Sequence, residues 1–420
     1  MVNTDVTEGI VALAEQLLSE RFGGTQELHD TEDLGGSDQA MVLRARLSPS
    51  PFLQLRSVVI KYVPLTGDPI QDAALVREVA AYQFTTALKE ENRPGPQILA
   101  YDLEERIMVI TDVGSGETFS ELLLDPDPDR RMPLLRNLGK AIGLMHAGTA
   151  TREQDFTILV NRMLRQHPEY REVNDLRENA LARSIVVGRE LLEDAGVAVP
   201  AEVAELADDA ASRLLKGPHR AFTPFDLSPD NIIVADRTQF LDYEWAGFRD
   251  IAFDLASVIS GFPQYLSARP VTDEETDAFL GAWARETEGI WPTARDRTLL
   301  LTRIAGALLG WAFLSISLMT YGSLSNALVV RGSMPGGLHV PEAIDLTSAE
   351  DSEQPVMSEL LAPASEREHS DDERLVRRDL FETFEALARI AARGGDERLA
   401  EVARFAADVS TRLDDDGSPQ

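Results

Sequence analysis

The chain has 420 residues, 44% of them apolar, which is more than one typical core holds and enough to fill two packed lobes or domains. Its formal charge of −31, from 71 acidic against 40 basic residues, argues against nucleic acid as a partner and leaves a cationic small molecule easier to accommodate. The absence of Cys excludes disulfides and thiolate chemistry and fits a reducing, cytoplasmic setting.

The N-terminus, MVNTDVTEGI, has neither a basic n-region nor an apolar h-region, so no secretory signal is expected. Residues 7–22 set Ile10, Leu13, Leu17 and Leu18 at helical spacing, which predicts an amphipathic helix. The period then changes, and strands are predicted at 26–33, 39–47 and 54–63. Leu34-Gly35-Gly36-Ser37-Asp38 joins the first two, and Lys61 stands near the end of the third. A helix over 71–90 carries Glu78, and strands at 97–102 and 106–111 complete an antiparallel sheet of five strands with one helix against it. Beyond Thr111-Asp112-Val113-Gly114 the pattern is helical almost throughout. A β-rich lobe over 1–112 and a second lobe over 113–330 follow from that change.

Within the second lobe, helices are predicted at 134–148, 154–167, 173–195 and 201–216, with about 151–217 forming a helical insertion. Phe222 to Ala256 then gives a Pro-containing loop and a short apolar strand pair, and helices over 273–287 and 296–320 follow. Ile304 to Val330 carries no charge, but Gly306, Gly310, Gly322 and several Ser interrupt it. It reads as a buried core helix rather than a membrane span. Residues 331–371, rich in Gly, Pro, Ser and acids, read as a flexible acidic linker or loop, and helices at 372–393 and 396–413 fill the last unit, 372–420.

The chemistry concentrates in Phe222 to Ala256. Asp226 and Asn231 stand five residues apart on the loop, and Asp242 and Glu244 follow at the end of the second strand. Such oxygens suit a hard cation such as Mg²⁺, which takes one or two protein carboxylates and completes its shell with phosphate oxygens. A carboxylate that orients or deprotonates a hydroxyl, with an amide oxygen nearby for a metal, is the equipment of phosphoryl transfer. By itself the run Asp226 to Asn231 reads equally well as a capped turn. Asp242 sharpens the reading: a carboxylate in the apolar run Phe240-Leu241-Asp242-Tyr243 is costly to desolvate unless something positive offsets it. A hairpin from Asn231 to Asp242 also returns the chain beside its start.

Lys61 is one of four Lys in the chain; on a strand it can reach nucleotide phosphates while Glu78 holds its ammonium. Gly35, Gly36 and Ser37 either let backbone N–H groups approach phosphates or make a plain turn. The six His show no metal-ligand spacing, and His146 reads as a packed residue.

This order of strand, Gly loop, strand with Lys61, then Glu78, Asp226-x-x-x-x-Asn231, Asp242-x-Glu244-x-Ala246-Gly247 and Asp254-Leu255-Ala256 resembles the aminoglycoside phosphotransferase and choline kinase-like superfamily. The resemblance covers roughly residues 20–330; Leu138 to Ala147 looks like the helix before that family's catalytic loop, and Asp242 to Ala256 is similar to the metal-site segment of its choline and thiamine kinase branch. It implies an α+β, bilobal protein-kinase-like fold: a small antiparallel-β N-lobe with one main helix, and a larger, mostly helical C-lobe. It also implies ATP and Mg²⁺ as cofactors and a small-molecule hydroxyl acceptor, a cationic amino alcohol or an aminoglycoside-like compound.

Carried over by residue, the resemblance implies Asp226 as catalytic base or hydroxyl-orienting group, Asn231 and Asp242 as Mg²⁺ ligands, and Lys61 with Glu78 on the ATP phosphates. Backbone groups near Asp112 and Val113 contact adenine, Glu244 lines the metal or acceptor site, and Asp254 ties the following helix to the catalytic loop. Pro224-Phe225 stands where the family usually has His-Gly, which supports a second reading as a regulatory module that holds nucleotide and transfers little. Neither nucleic acid nor membrane is expected as a partner, and the oligomeric state has no signal in the sequence.

Overall fold

Alternation along Ser57–Tyr62 (β3) decides the layout of the first lobe. Successive strand side chains point to opposite faces, so Val58 and Ile60 look one way and Val59 and Lys61 the other. The computed structural model describes residues 4–36, 40–125, 127–265, 270–322, 356–363 and 365–414. Ser37 and residues 323–355, which include most of the anticipated linker, lie outside them.

Strand β3 sits in the middle of a fully antiparallel five-stranded sheet with β1 (Leu28–Asp33), β2 (Met41–Leu47), β4 (Ile98–Asp102) and β5 (Ile107–Thr111), in the order β1-β2-β3-β5-β4. The Val58 and Ile60 face is covered by Ile10, Ala14 and Leu18 of α1 (Thr4–Phe22). The opposite face packs on Val76, Val79 and Ala80 of α3 (Ala74–Thr86). The sheet therefore carries a helix on each face where the sequence pattern assigned it one.

The helix expected over 71–90 is broken and shorter. Asp68 caps a first piece, α2 (Pro69–Asp72), by accepting the Ile70 N–H at 2.8 Å, with Pro69 at the first helical position where its missing N–H costs nothing. At the far end the Thr86 hydroxyl accepts the Ile98 N–H at 2.9 Å, which ties the helix terminus to β4.

The second lobe runs through a short strand β6 (Glu117–Thr118), then α4 (Phe119–Leu123), α5 (Pro128–Thr149), α6 (Glu153–Gln166), α7 (Arg171–Asp194) and α8 (Ala201–Leu215). Next come β7 (Arg220–Thr223), the hairpin β8 (Ile232–Val234) and β9 (Thr238–Phe240), and β10 (Gly247–Asp250), which pairs antiparallel with β7. Helices α9 (Ala252–Ile259), α10 (Asp273–Thr287) and α11 (Arg297–Tyr321) follow, and then α12 (Met357–Leu360), α13 (Asp371–Ala392) and α14 (Leu399–Leu413). Helix α11 is long and apolar enough to cross a membrane by length and composition, yet 83% of its apolar window is buried among the other helices. Its composition is that of a central core helix. Gly188 of α7 touches it so closely that a Cβ would collide with the Phe313 carbonyl.

The two lobes share one apolar cluster, which runs from Val59 and Met108 through Phe84 to Phe222 and Phe240. Backbone joins them too: the Phe240 N–H donates to the Pro94 carbonyl at 2.9 Å, and a Cβ on Gly95 would collide with the Phe240 carbonyl.

The described part of the 331–371 segment is tied down. Met357, Leu360 and Leu361 are buried, and Arg377 of α13 donates to the carbonyls of Leu360 and Ala362. On the same helix Asp379 is buried, with Oδ1 accepting the Gln264 N–H at 2.8 Å and Oδ2 without a partner. Burial pushes this carboxyl from 3.8 up to about 7. The folded protein thus holds a proton that the unfolded chain releases, and stability is expected to fall as pH rises from about 4 to 7. Asp379→Asn is expected to flatten that slope and to melt above the parent at pH 8; melting curves at pH 5 and pH 8 check it.

Candidate active site

The β7–β10 ladder closes a chain excursion over 224–246, and this excursion presents most of the polar groups singled out in the sequence. Asp226 accepts the Ser228 N–H at 3.0 Å, which fixes one carboxylate oxygen and leaves the other open. Pro229–Asn231 is a single 3₁₀ turn that begins with Pro, and the Asn231 N–H donates to the Ser228 carbonyl at 2.8 Å. Across the hairpin the Leu241 N–H donates to the Asn231 carbonyl at 2.8 Å, so Asn231 lies one residue from Asp242 across the pairing. Neighbouring Asp230 accepts the Ser120 hydroxyl at 2.5 Å and anchors the loop to α4.

Strand β9 ends at Phe240, so Asp242 and Glu244 occupy the turn after it and not the strand end that the sequence suggested. Asp242 adopts φ +56°, a left-handed conformation that Asp tolerates better than most side chains. Its carboxylate meets Lys61: Nζ lies 3.0 Å from Asp242 Oδ1 and 2.8 and 3.0 Å from the two oxygens of Glu78. The parity of β3 explains the meeting, because Lys61 shares the face of Val59, against which α3 and Glu78 pack.

One ammonium therefore faces four carboxylates, those of Glu78, Asp242, Glu244 and Asp226. Burial works to discharge Lys61, and Glu78, Asp242 and Glu244 hold it above its ordinary value as an ammonium. Burial raises the carboxyls of Glu78, Asp226 and Glu244, and the charge of Asp242 repels all three. The cluster is short of positive charge. Among the described residues no group of three or more His, Asp or Glu side chains is arranged to hold an ion.

The other anticipated residues are placed as follows. Asp112 follows the last paired residue of β5 and accepts from Ser57 Oγ at 2.7 Å, Gly114 N at 2.9 Å and Arg44 Nε at 3.0 Å, with Val113 next to it in the connection between lobes. Burial works to raise the Asp112 carboxyl, and these three donors more than offset it, leaving it below the usual range. The Gly35 N–H is already engaged with Asp33 Oδ1 at 2.9 Å, and a Cβ on Gly36 would collide with the Ala40 carbonyl. Those glycines make the β1–β2 hairpin tight. Asp254 lies on α9 and bonds not the loop around Asp226 but His146 of α5, at 3.1 Å from Nε2. Since Trp283 Nε1 donates to His146 Nδ1 at 3.1 Å, the imidazole carries its proton on Nε2 and is a neutral, packed group.

Phe225 takes φ +67°, the left-handed region that glycine adopts without strain. Its ring is buried under the loop, stacked on Trp311 at 4.9 Å with the Arg249 guanidinium 5.1 Å from its centroid. The ring therefore packs into the helical core and not into the space beside Asp226.

The sequence reading missed a set of polar residues behind the turn: the charged Arg77, Arg177, Glu178 and Arg249, with Asn174. Their signal was available, because Asn174, Arg177 and Glu178 stand at i, i+3 and i+4 and so share one face of α7.

Among solved structures, an ADP-bound aminoglycoside phosphotransferase is similar at 12% identity, covering 76% of this chain and 91% of that one, with a TM-score of 0.43. A choline/ethanolamine kinase family protein from Mesorhizobium loti is similar at 16% identity, covering 97% and 99%, with a TM-score of 0.43. Choline kinase from Cryptosporidium parvum Iowa II shows 14% identity, 77% and 90% coverage and a TM-score of 0.43. No curated protein matches the chain. The model of the phosphotransferase enzyme family matches residues 54–297, more than half of the chain, from just before β3 with Lys61 to the start of α11 and with the whole 224–246 excursion inside it. By that match, the chain belongs to the phosphotransferase enzyme family.

Proposed function

We propose that this protein transfers the γ-phosphoryl group of ATP to a hydroxyl of a small molecule. The observation that carries the reading is the convergence of Lys61, Glu78, Asp226 and Asp242 at the junction of the two lobes, with Asn231 one residue from Asp242 across the hairpin pairing, where one ammonium faces an excess of carboxylates. That donor set fits a divalent cation: Asn231 and Asp242 would hold Mg²⁺ together with phosphate oxygens, and the ion supplies charge neutralisation on the phosphates.

The chain's own groups do the rest. Asp226 orients the acceptor hydroxyl and takes its proton as the new O–P bond forms and the bond from the γ-phosphorus to the bridging oxygen of ADP breaks. The raised carboxyl of Asp226 makes it a better proton acceptor than an exposed aspartate. Lys61, braced by Glu78, contacts the phosphates, and the backbone of Asp112 and Val113, in the connection between the lobes, receives adenine. Glu244, on the same turn as Asp242, favours an acceptor with a positive charge, an amino alcohol or an aminoglycoside-like compound.

The regulatory alternative draws on Pro224-Phe225. Against it, Phe225 adopts the glycine-like backbone and Asp226 keeps its turn. Purified protein is expected to be stabilised by about 2.7 kcal/mol, relative to the ligand-free protein, at a hundredfold excess of Mg–ATP over its Kd, and by less with ATP alone. It is also expected to release ADP with at least one member of a panel of amino alcohols, sugars and aminoglycosides. Tight Mg–ATP binding with no acceptor-dependent ADP across the panel favours the regulatory reading.

A further inference from the structure

The inference rests on the kinase reading above and concerns what holds its parts in register. Helix α7 belongs to the helical insertion, yet one of its faces reaches three other elements. Asn174 Oδ1 accepts from Arg77 Nη2 at 2.8 Å, and Arg77 is the α3 residue next to Glu78. Glu178 pairs with that same Arg77 and lies 3.5 Å from Arg249 of β10. Arg177, between them, donates through Nη1 to the Ile70 carbonyl of α2 and through Nη2 to the Glu244 carbonyl at 2.9 Å. Its guanidinium lies flat over Trp245, 3.9 Å from the ring centroid.

We propose that Arg177 is a positioning residue for phosphoryl transfer: one planar guanidinium clamps the Asp242-to-Trp245 turn to the helix pair that carries Glu78. A rigid fork suits this task better than a point charge, because two carbonyls and a ring must be satisfied in fixed directions at once. Asp242 needs such support. Its left-handed φ sits in a turn with no ladder partner, between the end of β9 at Phe240 and the start of β10 at Gly247. Loss of the clamp is expected to loosen the backbone of the turn although the Asp242 carboxylate still pairs with Lys61 and Tyr243 still packs on Tyr82, and a small misplacement at a phosphoryl-transfer site is expensive. Arg177 touches no reacting atom in this account and acts only through the turn.

Three variants test it. Arg177→Met keeps much of the apolar length beside Trp245 and loses both carbonyl bonds, and Arg177→Lys keeps the charge without the fork. Arg377→Met serves as a comparison, because Arg377 of α13 is also buried and also bridges carbonyls, those of Leu360, Ala362 and Arg412, far from the Asp242 turn in sequence. Per folded molecule, Arg177→Met and Arg177→Lys are both expected to lower kcat by about 10–100-fold, to raise the Mg²⁺ concentration for half-maximal rate and, in melting curves with ATP, to raise the Mg²⁺ concentration for half-maximal stabilisation, as removal of supporting groups behind metal ligands does. Arg377→Met is expected to lose thermal stability with an unchanged Mg²⁺ profile. The proposal is overturned if folded Arg177→Met keeps the parent's kcat and Mg²⁺ dependence, if Arg177→Lys restores both, or if Arg377→Met moves the Mg²⁺ profile as much. A parent protein that binds no Mg–ATP overturns the kinase reading and this proposal with it, whereas an active parent with indifferent Arg177 variants overturns this proposal alone.

Discussion

Asp226→Asn is expected to lower acceptor-dependent ADP formation by about 10²–10⁴-fold, the usual contribution of a positioned acid–base group. The substitution is close to isosteric, and the amide oxygen can still accept the Ser228 N–H that Asp226 receives at 3.0 Å, so the loop keeps its turn. What disappears is the capacity to take the hydroxyl proton. One negative charge also leaves a cluster already short of positive charge, so Mg–ATP affinity is expected to hold or rise slightly while turnover collapses. Steady-state ADP release together with nucleotide titration separates the two effects. A variant that turns over like the parent removes Asp226 from the chemistry.

Phe225→Gly, which restores the residue type the family usually carries at this point, is expected to destabilise the protein by about 2–3 kcal/mol. Deleting a buried phenyl ring costs about 3–5 kcal/mol, and relief of the left-handed backbone offsets about 1–2 kcal/mol of that. The ring is lost from a stack with Trp311 at 4.9 Å and from contact with Phe253 at 6.2 Å and Arg249, so the cavity opens beneath the catalytic loop itself. A shift in the urea midpoint at unchanged slope measures the loss. A stabilised variant would mean that strain at φ +67° outweighs the packing.

Much of this arrangement was legible in the sequence because its causes are local. The period of two along β3 and the period near 3.6 along the later helices place most boundaries within about two residues. The loop from Asp226 to Asn231 announced itself through Pro229 and the spacing of its oxygens. What stayed hidden depends on distant partners. The β7–β10 ladder joins two four-residue strands separated by the whole 224–246 excursion, with no turn signal between them to pair them. The break at Ala73 falls in a run that propensity alone reads as continuous helix, and it is set by the Asp68 cap and the contact of Ile70 with Arg177. Asp254 looked bound for the catalytic loop because it lies near in sequence, but its partner His146 is 108 residues away. Arg177 shares one face of α7 with Asn174 and Glu178, but its acceptors are backbone carbonyls, which leave no trace in residue identity, so the spacing alone did not disclose its task.

The close seam at Gly95 bears on how this molecule can flex. A peptide pressed against the Phe240 carbonyl, bonded through Pro94 and backed by the Tyr82–Tyr243 ring pair at 4.6 Å, acts as a weld near the pivot between lobes. Close-packed interiors transmit strain with little give. The seam lies beside β4, so any relative movement of the lobes is expected to be smallest there and to grow across the sheet toward β1, the edge strand bordered only by β2.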